Sequence, residues 1–294
     1  MFKRIFSLVG WFRKQPSQFL LAALLLMAQC LPAQADPVNV PMVASPSSVP
    51  SSPPSIEVPE EIAPDMTELG VQIDPLDSPH PIPWNWVLAT HGELSASERS
   101  ETRYYRSQSL LSPDGQYAAY SRIQMQGQPE LYRSRVTSVM FVENLQTGDL
   151  RTITPSSPLA DNPLVTYEEA DMEGTLAILI PVSWSKSGDR LLARQFEGIF
   201  STSDASDYAV IWERQQNRTN TLAPERIEYS SAVLLGWSET NPNQVLFRAG
   251  EMGDEHWPVW AVDLNGQTIL AREDKPIVYG EVVNQVWAGP QARW

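Results

Sequence analysis

The 294-residue chain is 42% hydrophobic and 9% aromatic, enough to bury one large all-β domain or two small ones. Its formal charge of −14 and pI near 4.6 argue against nucleic acid or an anionic lipid surface as a partner. A single cysteine excludes a disulfide framework, so the fold has to rest on its core.

The first 35 residues have the layout of a secretory signal peptide. Lys3, Arg4, Arg13 and Lys14 form a basic start, Phe19–Ala28 an apolar stretch, and Ala33-Gln34-Ala35 a cleavage site with small residues. The apolar run is about ten residues, short of the roughly 20 that span a bilayer. The expectation is therefore an exported protein, in a periplasm or comparable lumen, with no transmembrane span after cleavage before Asp36. Cys30 leaves with the signal. So do four basic residues and no acid, which takes the mature chain to −18.

Residues 36–83 read as a linker. Pro37, Pro41, Pro46, Pro50, Pro53, Pro54, Pro59, Pro64, Pro75, Pro79, Pro81 and Pro83 remove backbone donors and fix φ. Such a segment is expected to be extended, polyproline-like and a spacer. The domain is then 84–294. It opens with Trp84-Asn85-Trp86-Val87-Leu88, an aromatic and β-prone run expected as a first strand or a plug. Glu93–Arg103 is polar and suits one helical turn or a loop.

Twelve strands follow in three groups of four. The first group is 104–111, 116–124, 136–143 and 149–154. The second is 175–184, 190–197, 208–214 and 218–222. The third is 230–237, 244–248, 258–262 and 267–272. All are β-branched or aromatic runs bounded by turn residues. The turns align between groups: Asp114-Gly115, Ser187-Gly188-Asp189 and Asn241-Pro242-Asn243 close the first hairpins. Gln146-Thr147-Gly148, Gln215-Gln216-Asn217 and Asn265-Gly266 close the last. Gly, Asn and Asp supply the positive φ such turns demand. Each group is a four-stranded antiparallel meander, and repeated meanders of this kind are the pattern of a β-propeller.

Ser112-Pro113-Asp114-Gly115-Gln116-Tyr117-Ala118-Ala119-Tyr120-Ser121, with Val142–Thr154 behind it, resembles the WD40-like repeat of TolB-type propellers. In that family Ser-Pro-Asp-Gly closes the first hairpin of a blade. The copies at Trp184-Ser185 and Trp237-Ser238 keep the Trp-Ser pair and lose Pro-Asp-Gly. The resemblance covers about 104–279 and implies an all-β, propeller-like array of three four-stranded blades. It becomes four if 276–280, 281–287 and 84–90 combine into a further sheet that closes the ring. The competing picture is an open three-sheet stack. The chain lacks the TolB N-terminal domain and the Gly-x-Ser-x-Gly elbow of propeller-bearing peptidases.

Because successive turns alternate ends, the tight turns share one face. The long connections share the other: 125–135, 155–174, 195–207, 224–229 and 249–256. These five stretches hold fourteen acids against three arginines. Long loops on a short-turn scaffold are where function concentrates. The candidate partner-binding residues are therefore Glu168, Glu169, Asp171, Asp204, Asp207, Asp254, Glu255 and His256. Tyr167–Gly174 lacks the Asp-x-Asp-x-Asp-Gly order of a calcium loop. Glu251–His256 offers one imidazole only, which favours a polar loop over a transition-metal site. No catalytic residue, cofactor site or metal site is expected, and the three histidines, His80, His91 and His256, lie far apart in sequence. The expected function is non-catalytic binding or scaffolding with a protein partner that is basic or membrane-associated. Two alternatives stand beside it: a carboxylate-dependent hydrolase acting on glycans, and an accessory or assembly subunit of a membrane-associated complex.

Overall fold

A computed structural model of the chain describes residues 73–160 and 172–284. The expected signal segment, the linker residues 36–72, and Glu168, Glu169 and Asp171 lie outside the described residues.

The described residues are mainly β. The first meander consists of β1 (Glu101–Arg106), β2 (Ser109–Leu111), β3 (Tyr117–Gly127), β4 (Arg135–Asn144) and β5 (Leu150–Ile153). The second is β6 (Thr175–Trp184), β7 (Arg190–Ile199), β8 (Ala205–Glu213) and β9 (Arg218–Leu222). The third is β10 (Ser231–Ser238), β11 (Gln244–Gly250), β12 (Val259–Asp263) and β13 (Thr268–Leu270). Within each, successive strands pair antiparallel in chain order, with β1 and β2 both pairing with β3 as two parts of one broken strand. A lone parallel bridge, Val136 to Leu176, joins the nine strands of the first two meanders, which with β15 (Glu281–Val283) make one ten-stranded sheet. The third forms a five-stranded sheet with β14 (Pro276–Ile277), and neither sheet closes on itself.

The three meanders share a local irregularity. The first strand of each slips register by one residue shortly before its turn serine. The slip falls between Pro181 and Ser183 in β6, between Leu234 and Gly236 in β10, and in the break between β1 and β2. Pro181, which has no N–H to give a ladder, sits at this bulge. The serine then organises the hairpin. Ser112 Oγ donates to Asp114 and accepts the Tyr117 amide, and Ser185 Oγ donates to Asp189 and accepts the Arg190 amide.

The steps from one meander to the next also match. Ala119, Met140, Val142 and Ile153 of the first meander pack on Leu179, Trp184, Leu191, Ala193, Val210 and Trp212 of the second. Leu192, Ala209, Ile211 and Leu222 of the second, at the corresponding ladder positions, pack on the third. Third strands reach the next first strand through polar side chains. Ser138 Oγ accepts the Leu179 amide at 2.6 Å, and Asp207 Oδ2 accepts the Leu234 amide at 2.9 Å. Each fourth-strand tail donates an amide to a threonine of the next: Ser156 to Thr221 and Glu225 to Thr268, both 2.8 Å.

The two ends of the domain depart from expectation. Trp84–Ala96 is an α-helix, α1, not a strand. Trp84 and Trp86 are β-prone, but Val87, Thr90 and Leu94 recur at helical spacing and are buried. Burial of that stripe overrides local propensity. Trp84 stacks on Phe200 at 6.0 Å, and Trp86 meets Tyr105 at 5.4 Å. Residues 73–83, the end of the expected linker, pack onto the domain and bury Leu76 and Ile82. Asp74 anchors this stretch, its carboxylate held by Arg194 of β7. The fourth sheet drawn from both termini is not formed: Trp84–Thr90 is helical, β14 joins β10, and β15 (Glu281–Val283) joins β2.

Instead, residues 276–283 run as a strap across all three first strands. Ile277 pairs with Trp237, Tyr279 with Trp184, and Glu281 with Leu111. Those three partners are equivalent, each immediately preceding the turn serine Ser238, Ser185 or Ser112.

Candidate functional site

The tight turns do gather at one end. Arg214 of the second meander donates to Asp114 at 2.8 Å and Gln116 at 2.7 Å and lies 4.1 Å over the Tyr117 ring. Arg190 donates to Asn243 and to the Pro242 carbonyl. The Ser112–Gly115 turn is thus an interlock between meanders, which suits a structural role.

The opposite end carries the longer loops. The β3–β4 loop, the start of β6 and the β7–β8 turn meet there: the Gly174 amide donates to the Ser134 carbonyl, and the Phe200 amide to the Gly174 carbonyl. Trp257, from the β11–β12 loop, packs on the same apolar cluster as Phe200, Leu76, Ile82 and Val87. Glu130, Asp204, Glu251, Asp254 and Glu255 are exposed on these loops, as are Tyr132 and Met252. His256 is exposed too, and its Nδ1 donates to the Glu255 carbonyl at 2.6 Å. Among the described residues, no group of three or more His, Cys, Asp or Glu is arranged to hold a metal ion.

Asp207 does not belong to this face. The expected loop 195–207 is mostly strand, with β7 running to Ile199 and β8 starting at Ala205. The turn is only 200–204, so Asp204 is displayed while Asp207, within β8, is fully buried. Polar residues inside a strand point alternately to either face, and here both faces of the middle meander are covered. Glu197 is buried for the same reason. It accepts the Leu159 amide on both oxygens at 3.1 Å and a hydrogen bond from Gln195. Burial raises its pKa, against the pull of those hydrogen bonds.

Beneath the loops lies a buried ionic cluster. Arg194, in the middle of β7, has no exposed side-chain surface. Its Nη1 donates to Asp74 Oδ2 at 2.6 Å and to the His80 carbonyl at 2.7 Å, and Nη2 donates to Asp74 Oδ1 at 3.2 Å. Its Nε lies 2.8 Å from Asp207 Oδ1 with the N–H off the line between them, a charge contact more than an aligned hydrogen bond. Two carboxylates therefore share one guanidinium, and they fare differently. Burial alone would raise Asp74, but the hydrogen bond and charge of Arg194 and the amides of Leu76 and Ile82 outweigh it and hold the carboxyl below its usual range. Asp207 is more deeply enclosed, and burial pushes it up to about 6 despite Arg194. His80 donates from Nε2 to the Leu235 carbonyl at 3.0 Å, and burial lowers its pKa.

No family model matches this chain, nor does any curated protein.

Asp74, His80 and Arg194 were not legible as a group. The available signal was Arg194 inside the apolar run Leu191-Leu192-Ala193, since a charge on such a strand needs a buried partner. Nothing local pointed to an aspartate 120 positions away.

Proposed function

We propose that the chain is an exported, non-catalytic binding or scaffolding module, propeller-like in build and akin to TolB-type repeats. It meets a basic protein partner through its acidic loop face. Support for the propeller-like arrangement comes from the matching steps between meanders, with the same bulge, the same turn serine and the same tail-to-threonine bond. The export reading rests on the residue pattern of 1–35, and 36–72 would give the module reach. The observation that carries the binding reading is the exposure of Asp204, Asp254, Glu255 and His256 beside Glu130 and Glu251 on loops that open at one end. A glycan hydrolase would need an accessible acid of raised pKa. Asp207 and Glu197 have raised values and are enclosed. Among the described residues no helix is long and apolar enough to cross a membrane.

The test is partner capture by the full chain, compared with the Asp204→Lys/Asp254→Lys/Glu255→Lys variant and with Asp149→Lys on the tight-turn end. Loss of capture in the triple variant alone, together with weakening of native capture as salt rises, is the expected result. Equal capture by all three proteins, or turnover of a glycan panel, would overturn the reading.

A further inference from the structure

Residues 73–83 belong to no strand of either sheet. They fold on their own first acid: Asp74 Oδ1 accepts the amides of Leu76 and Ser78, and Oδ2 accepts the amide of Ile82. Side-chain handles join this turn to the meanders. Arg194 holds the Asp74 carboxylate and the His80 carbonyl, Arg248 donates to the Asp77 carbonyl at 3.0 Å, and His80 reaches the Leu235 carbonyl. Leu76 and Ile82 plug an apolar cluster lined by Ile123, Ile178, Phe196 and Val233.

A buried ion pair normally cannot be parted, because each ion left behind is stranded in a dry site. Here each charge would keep a partner. Asp74 keeps its own amides, and Arg194 keeps Asp207 on the neighbouring strand. The pair separates along a line where each charge keeps a partner, and the Nη donors of Arg194 are left to an incoming carboxylate. We infer that Arg194, backed by Asp207, is the floor of a receptor pocket for a carboxylate-bearing turn, and that Asp74–Ile82 is its resident, exchangeable occupant. The ligand class is an aspartate-led turn followed by apolar anchors. That is opposite in charge to what the acidic loops attract, so this inference stands apart from the loop-face reading.

The experiment uses the full chain carrying Asp74→Ala, followed by hydrogen exchange. A peptide spanning Ile73–Pro83 is added in trans, as is the same peptide with Asp74→Asn. Exchange across Leu76–Ala96 should rise by about tenfold or more while β7 and β8 stay protected. The native peptide should restore protection and bind at least about tenfold more tightly than its Asn counterpart. Equal binding of the two peptides, or loss of protection throughout the domain, overturns the inference. Asp74→Asn serves as a milder second variant, and failure of both variants to fold would show the turn to be an inseparable part of the core.

Discussion

Asp207 illustrates how position within a strand decides what a carboxylate does. It is held 2.8 Å from Arg194 and accepts the Leu234 amide, yet full enclosure leaves its pKa raised to about 6. A carboxylate raised on folding contributes stability that is complete below its unfolded value near 3.8 and is lost as pH climbs through about 6. Asp74 runs the other way, contributing above the unfolded value and losing it in acid. The stability advantage of the native chain over Asp207→Asn should therefore shrink between about pH 4 and pH 6, by on the order of 2–3 kcal/mol. Urea unfolding of both proteins across that range measures it. A constant difference would mean Asp207 stays ionised throughout. Neither the identity nor the spacing of Asp207 distinguished it from Asp204. Only the length of β7 and β8 did.

Helix α1 shows the competition between local and tertiary preference at the scale of an element. It begins at Trp84, directly after Pro83, whose ring lets the chain enter the first turn without a backbone N–H to satisfy. It ends with the Arg99 amide on the Leu94 carbonyl and the Glu98 amide on the Ser95 carbonyl, with Glu98 at φ +51°. That left-handed position is where glycine usually stands. Glu98→Gly is expected to stabilise the domain by about 0.5–1 kcal/mol, read as a higher midpoint in thermal or urea unfolding. An unchanged or lower midpoint would show that the left-handed residue carries no cost here. The strands, by contrast, were legible to within a few residues, because alternation and turn chemistry act over spans shorter than a hairpin. β6 and β9 begin and end where their residue patterns do.

Across the whole molecule, two straps hold the three meanders. The N-terminal turn and α1 seal the loop end, and residues 276–283 cross the first strands at the tight-turn end. Gly280 is the tightest point of the latter. At φ +106° an added Cβ would lie 2.7 Å from the Leu111 carbonyl oxygen and 3.0 Å from Trp184. Gly280→Ala should cost about 2–3 kcal/mol and, by hydrogen exchange, free β15 and the β2 edge together. Independent release of β15, with β2 unaffected, would show that the strap does not couple the meanders.

The residue pattern alone determined three antiparallel meanders, their turns and an acid-rich set of connections, because these follow from side-chain alternation and from residues that accept positive φ. Tertiary structure decided which acids are displayed, where the Pro-rich segment becomes part of the domain, and how the termini are used. Those outcomes depend on a guanidinium, a glycine and an apolar cluster meeting groups more than a hundred residues distant, and burial free energy is set only once they meet.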